Sequence, residues 1–185
     1  MSVKLKSGQR SGCPVSASLE IFGDRWSLLI VRDLMVRAYR TFKEFAEAGE
    51  GIATNILTDR LKKLESEEII ATEPDRTDRR KVVYRLTEKG IDLAPVLLEL
   101  LIWGARHEPT AAPCAVIDDM AKNRKAVIAE ARRRWKDRDP TPLLPPFEDG
   151  RAAENHKRSR KTTSWSSPRK IQNPKLIQAM NRRAR

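Results

Sequence analysis

The chain is poor in the residues that build reactive centres. It has two cysteines, Cys13 and Cys114, and two histidines, His107 and His156, each far from the others. Such a set makes no disulfide framework and no Cys/His cluster with metal-ligand spacing. No glycine-rich phosphate loop occurs. The acid pairs Glu67-Glu68 and Asp118-Asp119 are adjacent, so on a helix they point in different directions and form no carboxylate dyad. An enzyme is therefore the weaker reading, and neither cofactor nor metal is expected. Long apolar runs are also missing, and about 18 uncharged apolar residues would be needed to cross a bilayer. The basic first twelve residues are not followed by the apolar run of a secretory signal. A cytoplasmic protein without membrane attachment is expected.

Positive charge is plentiful but unevenly placed. The net charge is +12 over 185 residues, of which residues 151–185 carry +10 and residues 1–150 only +2. That last segment is rich in Lys, Arg, Ser and Asn with few apolar residues, and is expected to be disordered. It can raise DNA affinity without sequence preference through counterion release, or be an inert solvated extension. The case for nucleic acid must come from local patterning in the rest.

Helical periodicity with terminal signals divides that remainder. Pro14 fits the first turn of a helix over residues 15–22, with Gly23 as its stop. Asp24 fits the N-cap of a second helix over 25–37, where Trp26, Leu29, Ile30 and Leu34 are spaced as one face. Thr41 and Glu44 fit a capping box for a third, with Phe42 and Phe45 inward. A fourth over 54–67 carries the stripe Leu57, Leu61 and Leu64. The period then changes to that of two short strands, 69–72 and 82–86, around a charged tip. A helical region starts at Thr87-Glu88, and Pro95 marks a new first turn or a kink. One amphipathic helix is expected over 115–136, and the proline-rich stretch 140–146 opens a linker over 140–150.

This order of elements is that of a winged helix-turn-helix, a mainly α fold with a small β-hairpin wing over residues 12–107. An accessory helix within 114–139, the linker and the disordered basic tail 151–185 follow. Opposite the leucine stripe of the fourth helix lie Thr54, Asn55, Thr58, Asp59, Lys62 and Lys63. Asn pairs bidentately with adenine, Thr reaches bases or phosphates, and Lys reaches guanine or phosphate. The tip Asp75-Arg76-Thr77-Asp78-Arg79-Arg80-Lys81 puts four cations where a wing meets the DNA backbone or minor groove. Each feature alone is as well explained by a solvated surface; their combination in one order favours DNA reading.

The same stretches resemble the bacterial HxlR family of winged-helix regulators across roughly residues 12–107. They are Cys13-Pro14-Val15, Gly23-Asp24-Arg25-Trp26-Ser27-Leu28-Leu29-Ile30, Arg40-Thr41-Phe42-Lys43-Glu44-Phe45, Gly51-Ile52-Ala53-Thr54-Asn55-Ile56-Leu57-Thr58-Asp59-Arg60-Leu61, Tyr84-Arg85-Leu86-Thr87-Glu88-Lys89-Gly90 and Trp103-Gly104. The resemblance implies a homodimeric repressor or activator on double-stranded DNA, with dimer contacts from the first helix and the helix after the wing. It directs the search for DNA contacts to Thr54, Asn55, Thr58, Lys62, Arg79 and Arg80. Three positions depart from the family pattern. Ala53 replaces a Ser cap unless Thr54 substitutes, Glu68 stands where a left-handed Gly is usual, and the wing tip has no Gly.

Two further expectations concern assembly and control. The segment 93–103 is too apolar all round for one small domain to bury, so Leu93, Leu97, Leu100, Leu101 and Trp103 are expected at a dimer interface and the operator to be an inverted repeat. Cys13 precedes a helix start with Arg10 three residues upstream, a setting that favours a reactive thiolate and a thiol-responsive regulator. Cys13 is equally readable as a small apolar residue at a dimer seam, and the inducer is unknown. The alternative function is a winged-helix protein-interaction module whose basic tail makes any nucleic-acid contact without sequence preference.

Overall fold

A computed structural model describes residues 10–75 and 78–144. The expectations for Arg76, for the end of the proline-rich linker and for the tail 151–185 lie outside the described residues. The chain order is α1 Pro14–Phe22, α2 Ser27–Met35, α3 Phe42–Ala46, α4 Thr54–Ser66, β1 Ile70–Pro74, β2 Val82–Leu86, α5 Glu88–Ile91, α6 Ala94–His107, α7 Cys114–Lys122 and α8 Arg124–Asp137. The two strands pair antiparallel, Ile70 with Leu86 and Pro74 with Val82, as a winged helix requires.

Local chemistry sets the boundaries. The Thr41 side chain accepts from the Glu44 amide at 3.3 Å, and the Glu44 carboxylate accepts from the Thr41 amide at 2.7 Å, so α3 begins on a complete capping box. α2 starts two residues later than expected. The Asp24 carboxylate holds Arg25 and Trp26 in a turn by accepting from the Trp26 and Ser27 amides at 2.8 and 2.9 Å. The first helical residue is therefore Ser27, and the far end stops at Met35 before the left-handed Ala38. Glu68 occupies the left-handed region, φ 58°, at the position where the sequence suggested a glycine. Thr54 does not replace the missing cap of α4, for Ala53 is the N-cap residue and no side chain caps it.

The helix expected over 115–136 is two helices. Asn123 breaks it: its backbone leaves the helical region at φ −111° and ψ 31°, and its side-chain amide donates to the Asp119 carbonyl and carboxylate at 3.1 and 2.9 Å beside the last backbone bond of α7. α8 ends on the left-handed Arg138, and the buried Arg134 donates to the Thr141 and Pro142 carbonyls. The chain thereby turns back, and the Leu143 and Leu144 amides donate to the Val36 carbonyl at the end of α2.

The core has two parts that share α6. The first gathers Val31, Leu34, Phe45, Leu57, Leu61, Leu64, Ile70, Leu86 and Ile91 under the helix-turn-helix and the wing. The second packs Leu98 and Ile102 against Ile117, Met120 and Leu144. This corrects the reason given for a dimer. Leu93 and Leu97 pack in part on the first cluster and Leu101 in part on the second, so this chain itself covers some of the apolar surface of α6. Leu100 and Trp103 remain exposed, along with Val96 one turn earlier.

Candidate nucleic-acid interface

α4 is anchored by burial along one side, with Leu57 and Leu64 fully enclosed. Its orientation is fixed from below by Arg60. The Arg60 guanidinium reaches the Asp24 carboxylate at 3.5 Å and the neighbouring Asp59 at 3.2 Å, tying the helix to the turn before α2. Its Nε atom is buried without a hydrogen-bond partner, so the link depends on these two acids. Burial pushes the Asp24 carboxyl up, but hydrogen bonds from the Ser27 hydroxyl, the Ser27 and Trp26 amides, and the nearby Arg60 hold it below the usual aspartate value. Asp24 therefore contributes stability that is complete above the ordinary pKa near 3.8 and is lost as pH falls through the lower native value. Asp24→Ala should remove a helix-starting carboxylate, cost about 1–2 kcal/mol in thermal or urea melts at pH 7, and flatten the acid limb of the stability curve. An unchanged acid limb would show that other groups set it.

With the leucine side inward, Thr54, Asn55, Thr58 and Lys62 stand exposed on the opposite side of α4. The Thr58 hydroxyl is turned onto the Thr54 carbonyl at 2.8 Å. Asn55 and Lys62 lie two turns apart, which suits the length of one major-groove crossing. Lys63 departs from the expectation that placed it on this face. Its ammonium donates to the Glu20 carbonyl at 2.8 Å, because α1 ends within reach and leaves that carbonyl bare.

The wing tip has no glycine, and its described residues on either side are tied together. The Asp75 amide donates to the Lys81 carbonyl at 2.8 Å, and the Asp78 amide donates back to the Asp75 carboxylate at 2.9 Å. Arg79, Arg80 and Lys81 all stand exposed, and Asp78 steadies Arg80 by a 3.1 Å contact. The Asp78 carboxyl lies below its ordinary value, chiefly through the Arg80 hydrogen bond. Arg76 is outside the described residues.

What sequence reasoning missed is the hold on this hairpin. The Tyr84 amide donates to the Arg40 carbonyl at 2.7 Å, fixing β2 to the α2–α3 connection. From the other side α8 grips both strands. Trp135 donates its Nε1–H to the Leu86 carbonyl at 2.7 Å, Arg85 donates to the Trp135 carbonyl at 2.6 Å, and Arg138 meets Glu73 at 2.8 Å. Trp135 is the only part of this latch with a visible signal, an aromatic at an apolar position of an amphipathic helix.

The remaining candidates lie on α1 and α6. Cys13 is exposed and immediately precedes α1, its amide donating to the Ser11 hydroxyl at 2.9 Å. Arg10 points away from the role foreseen for it, since its guanidinium meets Glu20 at 3.3 Å. Val15 and Leu19, one turn apart on α1, are 67% and 59% exposed, and Trp103 on α6 is 57% exposed.

Comparison with known proteins agrees with this architecture. The model of the HxlR-like helix-turn-helix matches residues 21–111. YdeP, an uncharacterized HTH-type transcriptional regulator of Bacillus subtilis strain 168, is 31% identical over 126 residues, or 68% of this chain and 93% of that protein. The HTH-type transcriptional regulator YodB of the same organism is 36% identical over 104 residues, covering 55% of this chain and 92% of YodB. The crystal structure of PA1607, described as a candidate transcription factor, is similar with a TM-score of 0.52 at 35% identity, over 57% of this chain and 72% of that one. Among the described residues no helix is long and apolar enough to cross a membrane. With its helix-turn-helix, wing and sequence relatives all concordant, the chain belongs to the HxlR-like helix-turn-helix family of transcriptional regulators.

Proposed function

We propose that this regulator reads a specific DNA sequence as a cytoplasmic homodimer, with α4 in the major groove and the wing on the flanking backbone or minor groove. The observation that carries the reading is the exposed polar face Thr54, Asn55, Thr58 and Lys62, beside a wing tip that projects Arg79 and Arg80. Asn55 is the base reader, and the wing arginines supply affinity without much sequence preference. The dimer rests on the unburied apolar positions Val15 and Leu19 of α1 with Val96, Leu100 and Trp103 of α6. A two-fold arrangement of this kind asks for an inverted-repeat operator. Cys13, exposed at the start of α1, is the candidate for a thiol that controls the dimer seam.

The test begins by selecting bound duplexes from a random library with the full chain, then titrating variants against the selected and random DNA. Asn55→Ala should cut the discrimination between the two by about 1–3 kcal/mol. Arg79→Ala should weaken both alike and lower the salt slope by about 1. Equal losses in both variants on both DNAs would end the assignment of base reading to α4 and favour a basic surface acting without sequence. In the same assay Cys13→Ser should keep operator affinity and lose release by diamide; release that survives the substitution would leave Cys13 a packing residue. Sedimentation at micromolar concentration should give a dimer, and a monomer there would remove the two-fold operator.

A further inference from the structure

Between α2, α6, α7 and α8 lies a cavity of about 480 Å³ whose wall includes Leu29, Leu97, Leu101, Val127, Ile128 and Leu144. Pockets that hold small ligands run from roughly 300 to 1,000 Å³. The wall is almost wholly aliphatic, and its single guanidinium is already committed. Arg32 donates through Nε and Nη2 to Asp33 at 3.0 and 2.8 Å, and through Nη1 to Glu50 at 2.8 Å. A bound carboxylate or phosphate would have to break one of those pairs, so the chemistry of the wall selects a neutral guest. A neutral apolar guest would gain dispersion contacts with these aliphatic side chains.

The far wall is built by this chain's extension. α7, α8, Leu143 and Leu144 all lie beyond residue 111, where the match to the family model ends. The extension is tied to α2 by the Leu143 and Leu144 amides on the Val36 carbonyl, and its turn is held by Arg134 on Thr141 and Pro142. α8 then connects the cavity to the wing. Val127, Ile128 and Ala131 line the space. About two turns further, roughly 10 Å along the axis, Trp135 and Arg138 hold Leu86 and Glu73 of the two strands. Any shift of α8 that accommodates a guest is therefore delivered to both strands of the hairpin.

We propose that this cavity is a binding site for a neutral lipophilic small molecule, an effector whose occupancy is passed along α8 to the wing. The regulatory half of this inference rests on the proposed DNA-binding function, while the binding half stands without DNA.

The first arm therefore omits DNA and uses the full chain with N-phenyl-1-naphthylamine, a neutral probe that fluoresces in apolar surroundings. It should bind saturably, and 1-decanol should displace it at concentrations at least tenfold below those needed for decanoate. Two substitutions fill the space from different sides. Val127→Trp enters it from α8, and Gly104→Leu enters from α6, where an added Cβ meets nothing within 4 Å. Each should weaken probe binding at least tenfold while the far-ultraviolet circular dichroism stays that of the parent. No saturable binding, equal displacement by decanol and decanoate, or full binding by both folded variants overturns the site. Sedimentation in the same solutions decides a competing occupant: if the probe enters only as dimers dissociate, the groove seats a second copy and the proposal fails. The second arm measures operator affinity with and without saturating probe. A change of threefold or more that is absent in Val127→Trp supports the route through α8. An unchanged affinity in a protein that binds both probe and operator overturns that route, whereas failure to bind any DNA overturns the proposed function and leaves the first arm standing.

Discussion

Gly90→Ala is expected to cost about 3 kcal/mol, at the upper end of what an added methyl group does in a packed core. Gly90 lies in α5 with its backbone against the turn that joins α4 to β1. An added Cβ would stand 2.1 Å from the Ile69 carbonyl oxygen and 3.1 Å from the Leu86 side chain. The first of these is backbone and cannot swing aside. It is held in place because it accepts from the Thr87 amide at 3.1 Å, and the Thr87 hydroxyl also bonds the neighbouring Glu68 carbonyl. The methyl group must push α5 off the hairpin, and α5 leads directly into α6. At about 4 °C per kcal/mol for a domain of this size, melting should fall by roughly 10 °C. Gly104→Ala is the matched control, also within a helix but with open space around the new Cβ. It should raise stability by about 0.5–1 kcal/mol through helix propensity alone. If the two variants melt within 2 °C of each other, the close approach at Gly90 is not real.

The second large effect is expected from Trp135. Truncation to Ala removes a ring packed against the first core cluster, the hydrogen bond to Leu86, and the surface beneath the Arg85 guanidinium, which lies 5.4 Å from the ring centroid. The cost should be about 3–4 kcal/mol, typical of removing a large aromatic. Trp135→Phe keeps most of the packing but leaves the Leu86 carbonyl without that donor, at about 1–2 kcal/mol. Amide exchange gives the more specific readout. In Trp135→Ala the strand amides of residues 82–86 should lose protection relative to α2 and α4. Uniform loss across the chain would mean that α8 supports the fold as a whole and has no special hold on the wing.

These two positions show what could and could not be read from the chain. The capping box at Thr41 and Glu44, the leucine stripe of α4 and the exchange of helical for strand period after Glu67 are all local, and each was legible. The left-handed residue at Glu68 was legible too, because a helix running into a strand needs that turn whatever residue supplies it. Lys63 was not: the helical wheel places it outward, and only the three-dimensional arrival of α1 brings the Glu20 carbonyl beneath it. The break at Asn123 was hidden by strong helix formers on both sides. Leu93, Leu97 and Leu101 are expected at a dimer interface, and the part of each that packs within the chain was not legible because those neighbours lie in separate elements. Periodicity reports that a face is apolar, and says nothing about which surface covers it.

The sharing of α6 between the two clusters has a consequence for how the chain acquires its structure. Leu97 closes the first cluster and Leu98 the second, so neither half can be sealed while α6 is absent. The Val36 carbonyl, made early in synthesis, has to wait for the Leu143 and Leu144 amides that leave the ribosome much later. Folding during translation therefore cannot finish helix by helix. The helix-turn-helix emerges first but stays incomplete, with α2 exposing its outer side until the extension folds back over it. The two halves should then melt as one cooperative unit, and a nascent chain stalled before residue 143 should be cut by proteases at sites that the finished protein protects.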